Sequence, residues 1–337
     1  MKRHSKKLVT KKIKMIEYNE KNIKTWSLVG SRATFGLVSL ELAKKVKDLM
    51  ILTSDVSTSA GLDRFRKNFP DKYIDVGIAE QNLIGIAAGL SSEGYKVFTT
   101  TFAPFQTMRC CEQIKVNLGY MKKKVNLVGL ASGLVLGNLG YTHCCIEDLS
   151  ITRSIPNLTV ISPADCVETV KAIESSLNHK SSIYLRLTGG QNNAPVYTND
   201  YEFEIGKAIK LLEGNDVAIF CTGTMVKECL TAADILKNKK INCSVINVHT
   251  IKPIDKKMIE EMSQKTKLFV SVEEHSIIGG LGSAISEVKS TIENSPRQLF
   301  IGVPDQYKFS GSYNFLKEKY GLEAKSIANK ILNSYKG

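Results

Sequence analysis

The feature that most restricts the fold is an alternation of two periods along the chain. Short apolar runs of strand length, DLMILTSDV, YKVFTTTF, VNLVGLAS, LTVISP and SIYLRL, are separated by longer stretches whose apolar residues recur at helical spacing. ATFGLVSLELAKKVKD, AEQNLIGIAAGLSSEG and CVETVKAIESSL read as helices of this kind. Runs that are apolar throughout suit strands buried on both faces, so the pattern predicts an α/β fold with a largely parallel sheet. Pro104 fits the first turn of a further helix through FQTMRCCEQIKVNLG, where its missing N–H costs nothing. TGGQNNAPVYTNDYEFEIG is rich in Gly, Asn and Pro, lacks periodicity and reads as a linker. The alternation restarts beyond it with DVAIFCTG, MVKECLTAADILKNK, NCSVINVH, DKKMIEEMSQK, KLFVSVEEH and GGLGSAISEVKS. The expected organisation is a basic tail over 1–26, one α/β domain over 27–190, a linker over 191–204 and a second α/β domain over 205–337.

Charge and cysteine usage exclude several function classes. The net charge of +13 invites a nucleic-acid reading, because a basic surface releases counterions from phosphates. Much of the excess, however, sits in Lys2, Arg3, Lys6, Lys7, Lys11, Lys12 and Lys14 and in the loop run Lys122 to Lys124, with no basic stripe carrying interleaved aromatics. Neither nucleic acid nor a membrane is an expected partner, since no apolar run approaches the roughly 20 residues of a spanning helix. The basic start is not followed by an apolar segment and cleavage site, so a cytoplasmic address is expected. The 8 Cys include the neighbours Cys110-Cys111 and Cys144-Cys145 and form no CxxC, which favours reduced, structural thiols.

The densest site-like segment is Asp75-Val-Gly-Ile-Ala-Glu-Gln-Asn82, where a strand hands over to an Ala/Gly-rich helix carrying Glu80. A carboxyl flanked there by apolar groups would be held protonated by desolvation and could donate a hydrogen bond. Glu80 could equally be a first-turn residue interacting with the helix dipole. Phe102 and Phe105 bracket Pro104 where a strand ends and a helix begins; they could wall a flat ring or belong to the core.

In order along the chain, Asp75-Val-Gly-Ile-Ala-Glu-Gln, Ala87-Ala-Gly-Leu, Gly94-Tyr-Lys-Val-Phe, Thr101-Phe-Ala-Pro-Phe105, Thr142-His143, Ile161-Ser-Pro-Ala-Asp and Val272-Glu-Glu-His-Ser-Ile-Ile-Gly-Gly-Leu-Gly resemble the C-terminal half of transketolase. The likeness extends to 1-deoxy-xylulose-5-phosphate synthase, most clearly in Val245-Ile-Asn-Val-His-Thr-Ile-Lys-Pro-Ile-Asp and Ile301-Gly-Val-Pro-Asp. It covers roughly residues 27–337 and implies a pyrimidine-binding α/β domain followed by a transketolase C-terminal domain. It also implies thiamine diphosphate as cofactor. By that resemblance Glu80 hydrogen-bonds the aminopyrimidine and promotes its imino tautomer, Phe102 and Phe105 enclose the ring, and Met108 stands where a third aromatic is usual. Asp55, in TSDVSTS, resembles the family's strand-end Asp near the cofactor, although a turn-capping role fits it too. His143 corresponds to the substrate-facing His, with Ser59 and Arg186 as further expected substrate contacts.

Departures from the family pattern bear on the substrate. Leu139 replaces an Asp that contacts a sugar hydroxyl, Ala131 stands near a phosphate-binding His, and Gly189 aligns with a phosphate-gripping Arg, leaving only Arg186 nearby. These changes imply an unusual sugar acceptor, possible forms of which include a nucleotide-linked one. The chain has no Gly-Asp-Gly motif, the family's diphosphate and Mg²⁺ cradle. The resemblance therefore implies the C-terminal subunit of a split transketolase, with Mg²⁺ ligands on an N-terminal partner, self-dimerisation and an α2β2 heterotetramer. Alone, the chain is expected to be inactive. Competing readings are a decarboxylating synthase-like or 2-oxoacid dehydrogenase beta-type subunit, and a non-catalytic interaction subunit. Gly279-Gly280-x-Gly282 lacks the third glycine of a dinucleotide motif and reads as structural. His249 and His275 lack neighbours at metal spacing, and His4 and His179 point to no chemistry.

Overall fold

The computed structural model describes residues 15–336. The basic cluster of residues 2–14 and His4 lie outside the described residues. The strands are β1 (Leu49–Thr53), β2 (Tyr73–Asp75), β3 (Lys96–Phe102), β4 (Val125–Leu130), β5 (Leu158–Ile161), β6 (Ser182–Arg186), β7 (Ile209–Leu212), β8 (Val217–Cys221), β9 (Cys243–Asn247), β10 (Thr250–Lys252), β11 (Leu268–Ser276) and β12 (Arg297–Val303). They form two sheets, in the order β10-β5-β6-β4-β3-β1-β2 and β12-β11-β8-β9-β7. Every pairing is parallel except β10 with β5 and β7 with β9. Strands β1, β4, β5, β6, β8 and β9 are buried along their whole length, as their unbroken apolar runs require.

The order places β2 on one side of β1 and β3 on the other, so successive connections depart in opposite directions from β1. A crevice opens at the carboxyl ends of strands where the winding reverses in this way. Asp55, Glu80, Phe102 with Phe105, and the 131–143 segment follow β1, β2, β3 and β4 respectively, which gathers them along one edge.

Two sequence expectations are corrected here. The tail does not extend to residue 26: a helix runs over Glu20–Lys45, capped by the Asn19 side chain, with Ile16, Ile23 and Trp26 buried. Gly30 breaks that helix at φ 82°, and a Cβ there would lie 2.4 Å from the Gly190 carbonyl oxygen, so only glycine fits the crossing. The segment after Phe102 is not one helix. Ala103–Thr107 starts with Pro104 in its first turn, but the chain then breaks and resumes as Cys111–Gln113 and wide turns over Ile114–Tyr120. Thr107 Oγ1 and Cys110 Sγ donate to the Ala103 and Phe105 carbonyls, competing with the regular ladder. All of the free cysteines, Cys110, Cys111, Cys144, Cys145, Cys166, Cys221, Cys229 and Cys243, except Cys111 are buried, and burial pushes the Cys110, Cys166 and Cys243 thiols up to about 12. Among the described residues no helix is long and apolar enough to cross a membrane.

Candidate active site

Glu80 opens the helix Glu80–Ser92, and its side chain is 5% exposed. The turn that delivers it is held by short bonds. Ser54 Oγ accepts from the Ala79 N–H at 3.1 Å, and Asp75 Oδ1 accepts from the backbone N–H groups of Asp55 and Gly77, both at 3.0 Å. Asp55 itself, at φ 53°, is exposed at the end of β1. The backbone of Asp55 thus helps to fix the Asp75–Ala79 turn. Ser59 is half-buried in the turn that follows.

The expected apolar setting of Glu80 is found only in part. Its Oε1 accepts from Arg109 Nη1 at 2.8 Å, so a guanidinium, not only apolar walls, meets the buried carboxyl. Arg109 also lies over the Phe105 ring, 3.9 Å from its centroid, which contributes about 0.5–1 kcal/mol of cation–π attraction at a partly open site. Phe105 meets Phe102 edge-on with centroids 6.3 Å apart, and the His143 ring stands 5.4 Å from Phe105 and 6.2 Å from Phe102. His143 Nδ1 is 2.9 Å from Thr142 Oγ1. A continuous path of contacts therefore joins Glu80, Arg109, Phe105, Phe102 and His143. The two Phe rings and the imidazole are half-buried, and Met108 is exposed one residue before Arg109. Arg109 was not singled out by sequence; its position four residues after Phe105 is the signal that could have found it.

Arg186, expected to contact substrate, is instead enclosed. Its side chain is 1% exposed, and Nε donates to Asp148 Oδ2 at 2.7 Å while Nη2 donates to the carbonyl oxygens of Glu274 at 2.9 Å and Cys145 at 3.4 Å. A guanidinium enclosed in this way has no face left for a substrate phosphate. Burial opposes its charge, but the Asp148 carboxylate more than restores it and holds the group above the usual arginine range. The glycine-rich loop is structural as well: the buried Glu273 carboxylate accepts from the N–H groups of Leu281 at 2.7 Å and Gly282 at 2.8 Å, occupying the place an incoming phosphate would need. His249 and His275 are both fully buried, and burial pushes each down to about 4.

The donor set fits the pyrimidine end of thiamine diphosphate. A buried carboxyl, two edge-to-face aromatics and an imidazole share one rim, so a flat nitrogen heterocycle could meet both an apolar wall and a hydrogen-bonding acid. Among the described residues no group of His, Cys, Asp or Glu is arranged to hold a metal ion.

Comparison with known proteins agrees with this architecture. Residues 29–193 match the transketolase pyrimidine binding domain and residues 206–327 the transketolase C-terminal domain. A putative transketolase C-terminal section from Methanocaldococcus jannaschii is 39% identical over 91% of this chain and 96% of its own length. A 6-deoxy-6-sulfo-D-fructose transketolase subunit from a Clostridium species is 40% identical over 88% of this chain and 91% of its own. A solved structure described as a split gene transketolase, an inactive beta4 tetramer, superposes with a TM-score of 0.81 at 34% identity, covering 91% of this chain and 98% of that one. The protein thus belongs to the transketolase family, a thiamine diphosphate-dependent family, and its two domains are those of the family's C-terminal half.

Proposed function

We propose that this chain is the pyrimidine-side subunit of a two-carbon ketol transferase, completed by a partner that carries the diphosphate and Mg²⁺ site. The observation that carries the reading is the buried Glu80 carboxyl standing on the same rim as the Phe102, Phe105 and His143 rings. Bound thiamine diphosphate would supply the stabilised carbanion that such a transfer needs. Glu80 holds and moves a proton at its carboxyl, opposite a ring nitrogen. Phe102 and Phe105 exclude water and fix the plane of the heterocycle, with the Met108 thioether at the open side. Asp55 and Ser59 border the same edge. His143 donates from its ring to a sugar carbonyl oxygen as charge develops there.

The acceptor we infer is an atypical sugar. Leu139 is 57% exposed on the segment that carries His143, an apolar side chain at the position where, by the resemblance, the family has an Asp that meets a hydroxyl. The Clostridium relative, named for a sulfonated ketose, supports an atypical sugar on the donor side of such a transfer as well. The assembly we propose is an α2β2 heterotetramer acting in the cytoplasm.

Calorimetry tests the shared site. Thiamine diphosphate with Mg²⁺ is expected to bind tightly only after the N-terminal partner is added, and micromolar binding by this chain alone would refute the reading. In the reconstituted complex, ketose donors are expected to outperform pyruvate; the reverse preference would favour a decarboxylating enzyme.

A further inference from the structure

His143 is carried on a segment whose anchors lie in the other half of the molecule. Beyond β4 the chain leaves the sheet at Ala131, and Gly133 and Cys145 then exchange both backbone hydrogen bonds, at 2.8 and 2.9 Å, closing the intervening residues into a clasped loop. Gly137 within that loop accepts from the Gly311 N–H at 3.0 Å and from Ser310 Oγ at 2.9 Å, and Tyr141 bonds Tyr320 through their hydroxyls. The base of the loop meets a single carboxylate. Glu274 Oε1 accepts from the Leu134 N–H at 2.7 Å, and its Oε2 accepts from Thr224 Oγ1 at 2.9 Å and the Tyr313 hydroxyl at 2.6 Å. A Cβ at Gly133, φ 76°, would lie 2.2 Å from Glu274 Oε1, so glycine is what lets the carboxylate reach the loop. On the other end of the clasp, Arg186 Nη2 donates both to Cys145 O and to the Glu274 carbonyl.

The geometry points to Glu274, a residue of the second sheet, as the positioning group of His143: its carboxylate and the Arg186 guanidinium grip the two ends of the Gly133–Cys145 loop and set where the imidazole stands on the rim. The inference rests on the reading of His143 as the group facing substrate. The neighbouring Glu273 provides a built-in comparison. Both carboxylates are 1% exposed on β11, yet Glu273 bonds Leu281 and Gly282 within its own half of the molecule, while Glu274 reaches across the junction. Successive side chains of a strand point to opposite faces, which is how adjacent residues serve the two sides. An ionised carboxylate accepts all three donors, and a Gln at 274 keeps an acceptor for Leu134. Burial raises the carboxyl above its usual range, while Arg186 and the three donors favour the charged form.

The test uses the full chain uniformly labelled with ¹⁵N, with His143 assigned through H143N and the Leu134 amide through L134A. E274A is expected to shift the His143 ring signals and to speed Leu134 amide exchange at least about tenfold, E274Q to restore both, and E273Q to leave both as in the wild type. Unmoved signals in E274A, or equal disturbance by E273Q, would overturn the proposal. In the complex with its partner subunit, E274A is expected to raise the sugar-donor KM at least about tenfold with E274Q again restoring it. Absence of ketol transfer by the wild-type complex would count against the functional reading alone, because the spectra decide the positioning role without turnover.

Discussion

At the carboxyl edge of the first sheet, Phe102, Phe105 and His143 are half-buried and Arg109 is exposed, whereas at the junction between the two sheets Asp148, Arg186, Glu273, Glu274 and His275 are each 1% exposed or less. Both regions collect charged groups, and the sequence drew expected site residues from each: Glu80, Phe102, Phe105 and His143 from the edge and Arg186 from the junction. They differ in what remains to be satisfied. The junction is paired largely within itself: Asp148 Oδ2 takes Arg186 Nε and the Tyr184 hydroxyl, both at 2.7 Å, the glutamates are met by backbone N–H groups and hydroxyls, and Asp148 Oδ1 and His275 Nε2, 3.9 Å apart, are left without hydrogen-bond partners among the described residues. The edge leaves Phe102, Phe105 and His143 half-buried and carries exposed apolar side chains on the segments that lead to Glu80 and His143, Ile78 at 78% and Leu139 at 57%. Exposed apolar groups beside an incomplete site are the mark of a surface made to be covered. The two regions thus differ in enclosure: the charges of the junction are shut away from solvent, and the rings of the edge are not.

The largest effect expected of this contrast is catalytic. Glu80→Gln in the reconstituted complex should lower turnover by about 10²–10⁴-fold, the usual range for a lost proton-transfer group, while leaving assembly intact by size-exclusion chromatography. Turnover near the wild-type level would remove Glu80 from the chemistry. Asp148→Ala is the counterpart at the junction and acts on stability. It strands the enclosed Arg186 charge, so denaturant unfolding should report a loss of roughly 3–5 kcal/mol. A loss below about 1 kcal/mol would mean that Arg186 finds water, and that the junction is less closed than its burial indicates.

Legibility divides along physical lines. The fully buried strands were visible because both faces demand apolar residues. The edge strands β7 and β12 were not, since Ile209–Leu212 and most of Arg297–Val303 are half-buried or exposed, and β2 was read only as the strand that hands over to the Glu80 helix. In the site, Glu80, Phe102, Phe105 and His143 were marked by motif resemblance, and the structure brings their rings and carboxyl to one rim. Arg186 was misplaced because a sequence displays a charge without displaying what encloses it. Its partner Asp148 is 38 residues away and the Glu274 carbonyl 88 residues away. Contacts at that separation leave no local period to read.

A smaller effect concerns pH. His249 stacks on Phe203 with centroids 4.3 Å apart, and burial holds it neutral with a pKa pushed down to about 4. Between pH 6.5 and 4 the unfolded chain takes up a proton that the folded chain refuses. The stability His249 contributes is thus complete above about pH 6.5 and is lost as pH falls toward 4. A shift of that size is worth roughly 3 kcal/mol at most. Glu273, pushed up to about 7 by burial, has the opposite sign: its contribution is complete below about pH 4.5 and fades as pH rises through 7. Thermal melting across this range should show wild type losing its lead over His249→Gln as pH falls, and losing its lead over Glu273→Gln as pH rises. Parallel curves for either pair would show that the group is not titrating from within the closed junction.

The smallest effect falls on Arg109, which belongs to the open edge yet forms an ion pair with the buried Glu80 carboxylate. The Arg109 side chain is 43% exposed, so solvent screens the pair and Arg109→Ala should change stability by no more than about 1 kcal/mol. Its consequence for cofactor binding has a definite sign. The guanidinium engages Glu80 Oε1, and a ligand that needs this carboxyl must displace it or share the group. Removing a competitor of that strength should tighten thiamine diphosphate binding to the complex by up to about fivefold in calorimetry. A tenfold weakening would instead mean that Arg109 holds Glu80 in place for the ring, as Glu274 holds the His143 loop. The open edge would then contain a clamp of its own, and the division between a closed junction and an unsatisfied rim would have to be redrawn around Phe105.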